Sequence, residues 1–188
     1  MIEALAPLMA RAGGSWVARQ RERHRPEADP LDPANRSALQ AFYSADTLDR
    51  VRVRTVVGLD PPPLFETIRR LGVSLPLEMD RIAGIAFVDT LVVHAFVPEV
   101  DRIPILFHEL VHVVQYHRLG LEGFMDRYVR GWLEADRRYR DIPLESDAYE
   151  LAARFVEAPE QAFDVESEVD RRLAAPRSPV APPRVPDQ

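Results

Sequence analysis

Between Ile103 and Tyr116 the chain is strongly apolar, and three of its few polar residues form His108-Glu109-Leu110-Val111-His112. Ile105, Leu106, Phe107, Leu110, Val111, Val113 and Val114 would cover nearly every side of a helix, so this helix should run through a core and not along a surface. Ionisable side chains inside such a helix are costly unless a partner or a metal compensates them. Residues four apart share a helix face, so both imidazoles can reach one metal ion. Glu109, on the intervening turn, can reach a water on that metal without binding the metal itself. This is the HExxH pattern of a zinc-dependent hydrolase that activates water. The plainer reading makes the histidines hydrogen-bonded core residues and Glu109 a surface carboxylate. Three such groups on one buried element weigh against it.

Zinc held by two histidines and open to water needs a third protein ligand. Glu145, Asp147 and Glu150 lie in one downstream helical segment. Glu145 shares a face with Ala148 and Tyr149, and a small residue one turn on lets two helices approach closely. Glu150 points nearly opposite, as a solvated residue would. Glu145 is the preferred ligand, with Asp147 and Glu150 as alternatives.

The remaining pattern is mixed. Residues 1 to about 23 read as a partly amphipathic helix, and Asp32 before Pro33 as a helix start. Residues 51–56 alternate as a strand does, Pro61-Pro62-Pro63 is a stiff loop, and Leu64 to Leu71 a short helix stopped by Gly72. Ile82–Val88 and Thr90–Val97 read as strands with a bulge or turn at Asp89. Pro104 suits the first turn of the motif helix, and Gly120 its end. Further helices are predicted from Leu121 to about Tyr139, from about Leu144 to Val156, and after Pro159 to near Ala174. The expected fold class is α+β, a minimal zincin-like fold with a small sheet packed on a buried HExxH helix and additional helices. We expect one domain over 1–175, with an N-terminal helical extension, and a disordered proline-rich tail over 176–188.

Composition narrows the function classes. The chain has 188 residues, 46% hydrophobic, with a formal net charge of −6; it can bury one good core and offers no concentrated basic surface for nucleic acid. The arginines of 19–25 and 137–140 read as solvated helix faces. Cysteine is absent, so any metal must rest on His, Asp, Glu or water. With no signal-peptide pattern and no apolar run long enough for a bilayer, the expectation is a cytoplasmic protein without a membrane span.

The segments Phe107-His108-Glu109-Leu110-Val111-His112-Val113-Val114-Gln115-Tyr116 and Ile142-Pro143-Leu144-Glu145-Ser146-Asp147-Ala148-Tyr149 resemble those of gluzincin-type metallopeptidases. More narrowly, the chain is similar to small bacterial proteins related to the domain-of-unknown-function group numbered 4157. In gluzincins the second segment often reads Glu-x-x-Ala-Asp, and the resemblance assigns Glu145 as third zinc ligand. Tyr149 stands at the aspartate position of that pattern, so a phenol, or Asp147, would replace the usual supporting carboxylate. The resemblance spans about residues 82–156. It also implies that the strand from Thr90 to Val97, just before the motif helix, lies near a sheet edge along which an extended peptide binds.

The leading expectation is therefore a zinc metallopeptidase acting on a peptide or protein. His108, His112 and Glu145 hold zinc, and Glu109 is the general base. Tyr149, Tyr116, His94 and Tyr128 are candidates for stabilising the oxyanion, and Gln115 for supporting the ligands; Tyr116 reads more readily as a core residue and His94 as a packed or edge-strand histidine. The alternative is a non-catalytic zinc scaffold or protein-interaction module, in which protein would close the fourth metal position. The substrate and oligomeric state are not encoded in any motif.

Overall fold

The computed structural model describes residues 3–58, 82–136 and 138–175. The expected loop and helix between Pro61 and Gly72 and the tail beyond 175 lie outside these residues. Helix α1 (Ala6–His24) is followed by strand β1 (Asp29–Pro30) and two short helices, α2 (Pro33–Leu39) and α3 (Ala45–Arg50). Strands β2 (Arg52–Val56), β3 (Gly84–Phe87) and β4 (Thr90–His94) precede the long helix α4 (Glu99–Glu134), and α5 (Pro143–Glu157) and α6 (Val165–Ala174) complete the order. The fold is α+β, as the mixed periodicities predict.

Local chemistry sets most of these boundaries. Asp32 and Ser44 cap α2 and α3 by accepting from the backbone N–H of Asn35 and Thr47, and Asp164 caps α6 through Ser167. Helix α4 begins at Glu99, five residues before the expected start, so Pro104 sits inside it. A proline so near the N-terminus removes only one early hydrogen bond, and the helix carries on. At Gly120 the backbone leaves helical space (φ 67°, ψ 168°), which divides α4 into two limbs. The second limb stops at Glu134, short of the expected Tyr139, which lies on a separate tight turn, Tyr139–Asp141.

The sheet order is β1-β2-β4-β3, with β2 and β4 parallel and the other pairs antiparallel. This corrects one expectation. The strand beginning at Thr90 is flanked on both sides, and among the described residues β3 is the edge strand beside the motif helix. Leu91, Val92 and Val93 are buried, as a strand with neighbours on both sides requires. The His94 N–H donates to the Ala83 carbonyl at 2.9 Å. In an antiparallel ladder this pairing turns the N–H groups of Gly84 and Ala86 toward the outer edge.

The first limb of α4 packs closely on that edge strand. A Cβ at Gly84 would lie 2.8 Å from Ile105 Cγ2 and 3.1 Å from Glu109. Only glycine lets the strand backbone approach the motif helix to this distance. On the opposite flank Phe42, Phe107, Phe155 and Phe163 pack together, with Phe42–Phe107 and Phe107–Phe155 centroids 5.6 and 4.5 Å apart. The Tyr43 hydroxyl donates to the Phe107 carbonyl at 2.7 Å and so fixes the residue before His108.

Helix α1 belongs to the same core: Trp16 and Val17 join it, with the Trp16 ring 5.3 Å from that of Phe87. Two arginines at its C-terminal end, Arg21 within it and Arg25 just after it, are not simply solvated. Arg21 grips Asp89 with two hydrogen bonds at 2.6 and 2.8 Å, and Arg25 reaches it at 2.9 Å. Asp89 lies in the turn between β3 and β4, where Val88 holds φ 64°. A β-branched residue is strained there, and the bidentate clamp offsets the cost while fixing the hairpin against α1. No helix of the described residues is long and apolar enough to cross a membrane.

Gly120 generates a stability prediction. Its φ and ψ lie in a region that residues with a Cβ rarely occupy, so Gly120→Ala should cost ~1–3 kcal/mol. Urea unfolding followed by circular dichroism checks this, and an unchanged midpoint would mean that the break in α4 does not need glycine.

Candidate metal centre

His108 and His112 lie one turn apart on the first limb of α4, and Glu145 lies in the first turn of α5. The structure brings their donor atoms together. Glu145 Oε2 is 3.4 Å from His108 Nε2 and 3.3 Å from His112 Nε2, and the two imidazole nitrogens are 3.2 Å apart. Bonds of ~2.0–2.1 Å to tetrahedral zinc place ligand atoms roughly 3.3 Å from one another. The donor triangle already has that size.

Its chemistry fits as well. Glu145 is 2% exposed, and its Oε2 is buried without a hydrogen bond. A charge so placed is stabilised by a facing cation, either a protonated imidazole of the triangle or a metal ion. Among the described residues no fourth His, Cys, Asp or Glu joins this group. Two imidazole nitrogens and one carboxylate oxygen are a donor set compatible with a divalent metal ion.

Two of the donors, His112 and Glu145, are held by a chain of contacts. Gln115, fully buried, donates from Nε2 to the Leu144 carbonyl at 3.1 Å. That carbonyl can only accept, so the amide oxygen faces the other way, 2.8 Å from His112 Nδ1. His112 must then carry a proton on Nδ1, which leaves Nε2 to face the centre. Through Leu144, the same amide links the motif helix to the residue before Glu145. The other Glu145 oxygen, Oε1, accepts from the Tyr128 hydroxyl at 2.8 Å, and Tyr139 lies close enough for the carboxylate charge to act on its phenol. Burial raises the pKa of both phenols, and the negative charge of Glu145 adds to the effect. They remain protonated.

Glu109 is buried beside the triangle but is not part of it. Its Oε1 lies over Gly84, and the outward N–H of Ala86 bonds it from the edge strand. Burial lifts its pKa above the usual carboxylate value against the pull of His108 and His112, with a further upward push from Glu145. Burial would likewise raise Glu145, but His112 and His108 outweigh it and hold this carboxyl far below the usual range. His112 shows the reverse balance. Burial would lower its pKa, yet Glu145, helped by Glu109 and Gln115, raises it to about 9.

The other sequence candidates occupy distinct places. Tyr149 is half-buried, with its ring 4.5 Å from that of His108. Tyr116 stacks on Phe124 at 3.7 Å in the core. His94 stacks on Phe96 at the end of β4, and its Nδ1 accepts from the Phe96 N–H. Tyr128 is turned to Glu145. The rival ligands Asp147 and Glu150 are drawn to Arg172, at 2.9 and 2.7 Å. Tyr139, Gly84 and Ala86 reach the site without having been singled out in the sequence. A glycine and an alanine carry no chemical signal, and the position of Tyr139 depends on the turn after α4.

No family model, curated protein or solved structure matches the chain, so the site is read from its own geometry.

Two predictions follow from these contacts. Gln115→Leu leaves His112 Nδ1 and the Leu144 carbonyl unpaired, and should weaken zinc binding roughly 10–100-fold. Glu145→Ala should weaken it more, and Glu150→Ala hardly at all. Competition with a chromophoric chelator measures all three, and equal losses in Glu145→Ala and Glu150→Ala would overturn the ligand assignment.

The second concerns protons. The raised pKa of His112 stabilises the metal-free protein fully below the ordinary value of 6.5, and this contribution is lost as pH rises through about 9. Near neutral pH, zinc must displace that proton. Calorimetry in buffers of different ionisation enthalpy should therefore show proton release on binding, with apparent affinity climbing toward pH 9. An affinity flat across this range would contradict the His112–Glu145 pairing.

Proposed function

We propose that the chain is a zinc-dependent peptidase in which His108, His112 and Glu145 hold the metal and Glu109 is the general base. The observation that carries this reading is the division among four ionisable side chains. Three converge with metal-ligand spacing, while the fourth stands beside them, buried and outside the triangle. A site that only holds helices together has no use for that fourth group.

Zinc bound there would polarise the scissile carbonyl and bring the pKa of a water near neutrality. Glu109 accepts a proton from the attacking water as its oxygen adds to the carbonyl carbon. It then delivers the proton to the amine nitrogen as the carbon–nitrogen bond breaks. The Ala86 N–H holds the carboxylate in register with the edge strand. Among the described residues β3 has no second strand partner, and an extended peptide pairing along that edge would lay its carbonyl beside the metal. The Tyr149 hydroxyl is the best-placed phenol for the developing oxyanion, because its ring rests on His108 while Tyr128 is committed to Glu145.

A non-catalytic zinc scaffold would close its fourth metal position with protein, and the described residues supply no such donor. Glu109→Gln separates the two readings. Zinc content and thermal stability should be kept while hydrolysis of a broad peptide library falls at least ~10²-fold, since an amide cannot accept the water proton. Wild type and variant equally inert toward the library would favour the scaffold. Full activity in the variant would remove Glu109 as base.

A further inference from the structure

Arg140 lies on the turn between α4 and α5, exposed, with its guanidinium carbon 4.8 Å from the centre of the Tyr149 ring. That ring in turn lies 4.5 Å from the His108 imidazole. The cation is thus placed one aromatic ring away from the proposed metal ligand with the more exposed side chain, 12% against 7% for His112 and 3% for Glu145.

Other arginines of the chain are differently employed. Arg118, Arg130, Arg138, Arg154 and Arg172 each meet a carboxylate within 3.4 Å. The chain has 30 acidic residues against 24 basic ones, so partners are in good supply. Among the described residues none lies within ion-pair distance of Arg140. It spends its charge on a ring face, which restrains the side chain and leaves the N–H edge of the guanidinium available.

We propose that Arg140 binds a carboxylate of the substrate, so that the site prefers peptides with an acidic group close to the scissile bond. This rests on the peptidase reading above. A guanidinium offers paired N–H donors that match a carboxylate in a planar, bidentate arrangement. Held on Tyr149, it is ordered before the ligand arrives and loses less freedom on binding. The carboxylate could be the free C-terminus of a short peptide or an Asp or Glu side chain within a longer one. Both present the same group to the same fork.

Peptide pairs differing only in a free or amidated C-terminus, or in Glu against Gln at one position, distinguish the two sources. With zinc-loaded wild type, one member of one pair should be preferred, mainly through KM. Arg140→Gln should reduce that preference roughly tenfold or more, Arg140→Lys should restore part of it, and Arg140→Glu should shift preference toward a Lys-containing peptide. The same pairs are also titrated, by fluorescence anisotropy, onto zinc-loaded Glu109→Gln protein with and without Arg140→Gln. Cleavage with an unchanged preference in Arg140→Gln would overturn the role of Arg140 and leave the peptidase reading standing. Arg140-dependent binding of the acidic member without cleavage by the wild type would overturn the peptidase reading and keep the carboxylate site. Equal binding of both members overturns the inference. So does a variant that loses thermal stability alone, because Arg140 would then serve only to cover Tyr149.

Discussion

A carboxylate oxygen buried without a hydrogen bond, held 3.3–3.4 Å from two imidazole nitrogens, is the constraint on which the rest of the structure depends. Removing such a charge from water costs several kcal/mol unless a cation faces it. In the metal-free protein His112, with its pKa raised to about 9, supplies part of that compensation. The surrounding protein keeps the oxygen where it is. Tyr128 occupies the other oxygen of the carboxylate, Gln115 ties the backbone beside it to the motif helix, and fully buried Ala148 keeps the helix face small one turn away.

Long-range geometry brings these parts together. The motif histidines and Tyr128 lie on one helix that could not bring both to Glu145 if it ran straight. The departure from helical space at Gly120 redirects the second limb, and the chain then turns back through Tyr139–Asp141 so that α5 meets the first limb. Gly131 permits that return: a Cβ there would lie 2.6 Å from Pro143 Cδ. On the other side the clamp of Arg21 and Arg25 on Asp89 holds the hairpin whose edge strand carries Ala86. Glu109 and the His–His–Glu triangle are thus set by separate packing systems that meet at α4.

The parts legible in the sequence are those encoded locally. His108 and His112 are read from spacing on one helix, the burial of that helix from its apolar perimeter, and the break at Gly120 from the residue itself. Glu145 is legible because it shares a helix face with Ala148. Contacts that span the chain were not legible. The strand from Thr90 was expected near the edge and is interior, because sheet order depends on how β2 pairs across a long connection. Pro104 misplaced the helix start, because the helix begins a turn earlier and continues past the proline at the loss of one early hydrogen bond. Tyr128 reads in the sequence as an oxyanion candidate, and nothing near it names the carboxylate it meets. Arg21 and Arg25 looked like solvated charges because nothing near them in sequence announces Asp89.

The central claim is that His108, His112 and Glu145 form a three-donor zinc site with one position open. X-ray absorption spectroscopy of the zinc-loaded protein tests it directly. The predicted spectrum is that of four-coordinate zinc with two imidazole nitrogens and two oxygens at ~2.0–2.2 Å, with one imidazole lost in His112→Ala. A spectrum without imidazole scattering would contradict the site. One that requires three imidazoles would contradict its open position.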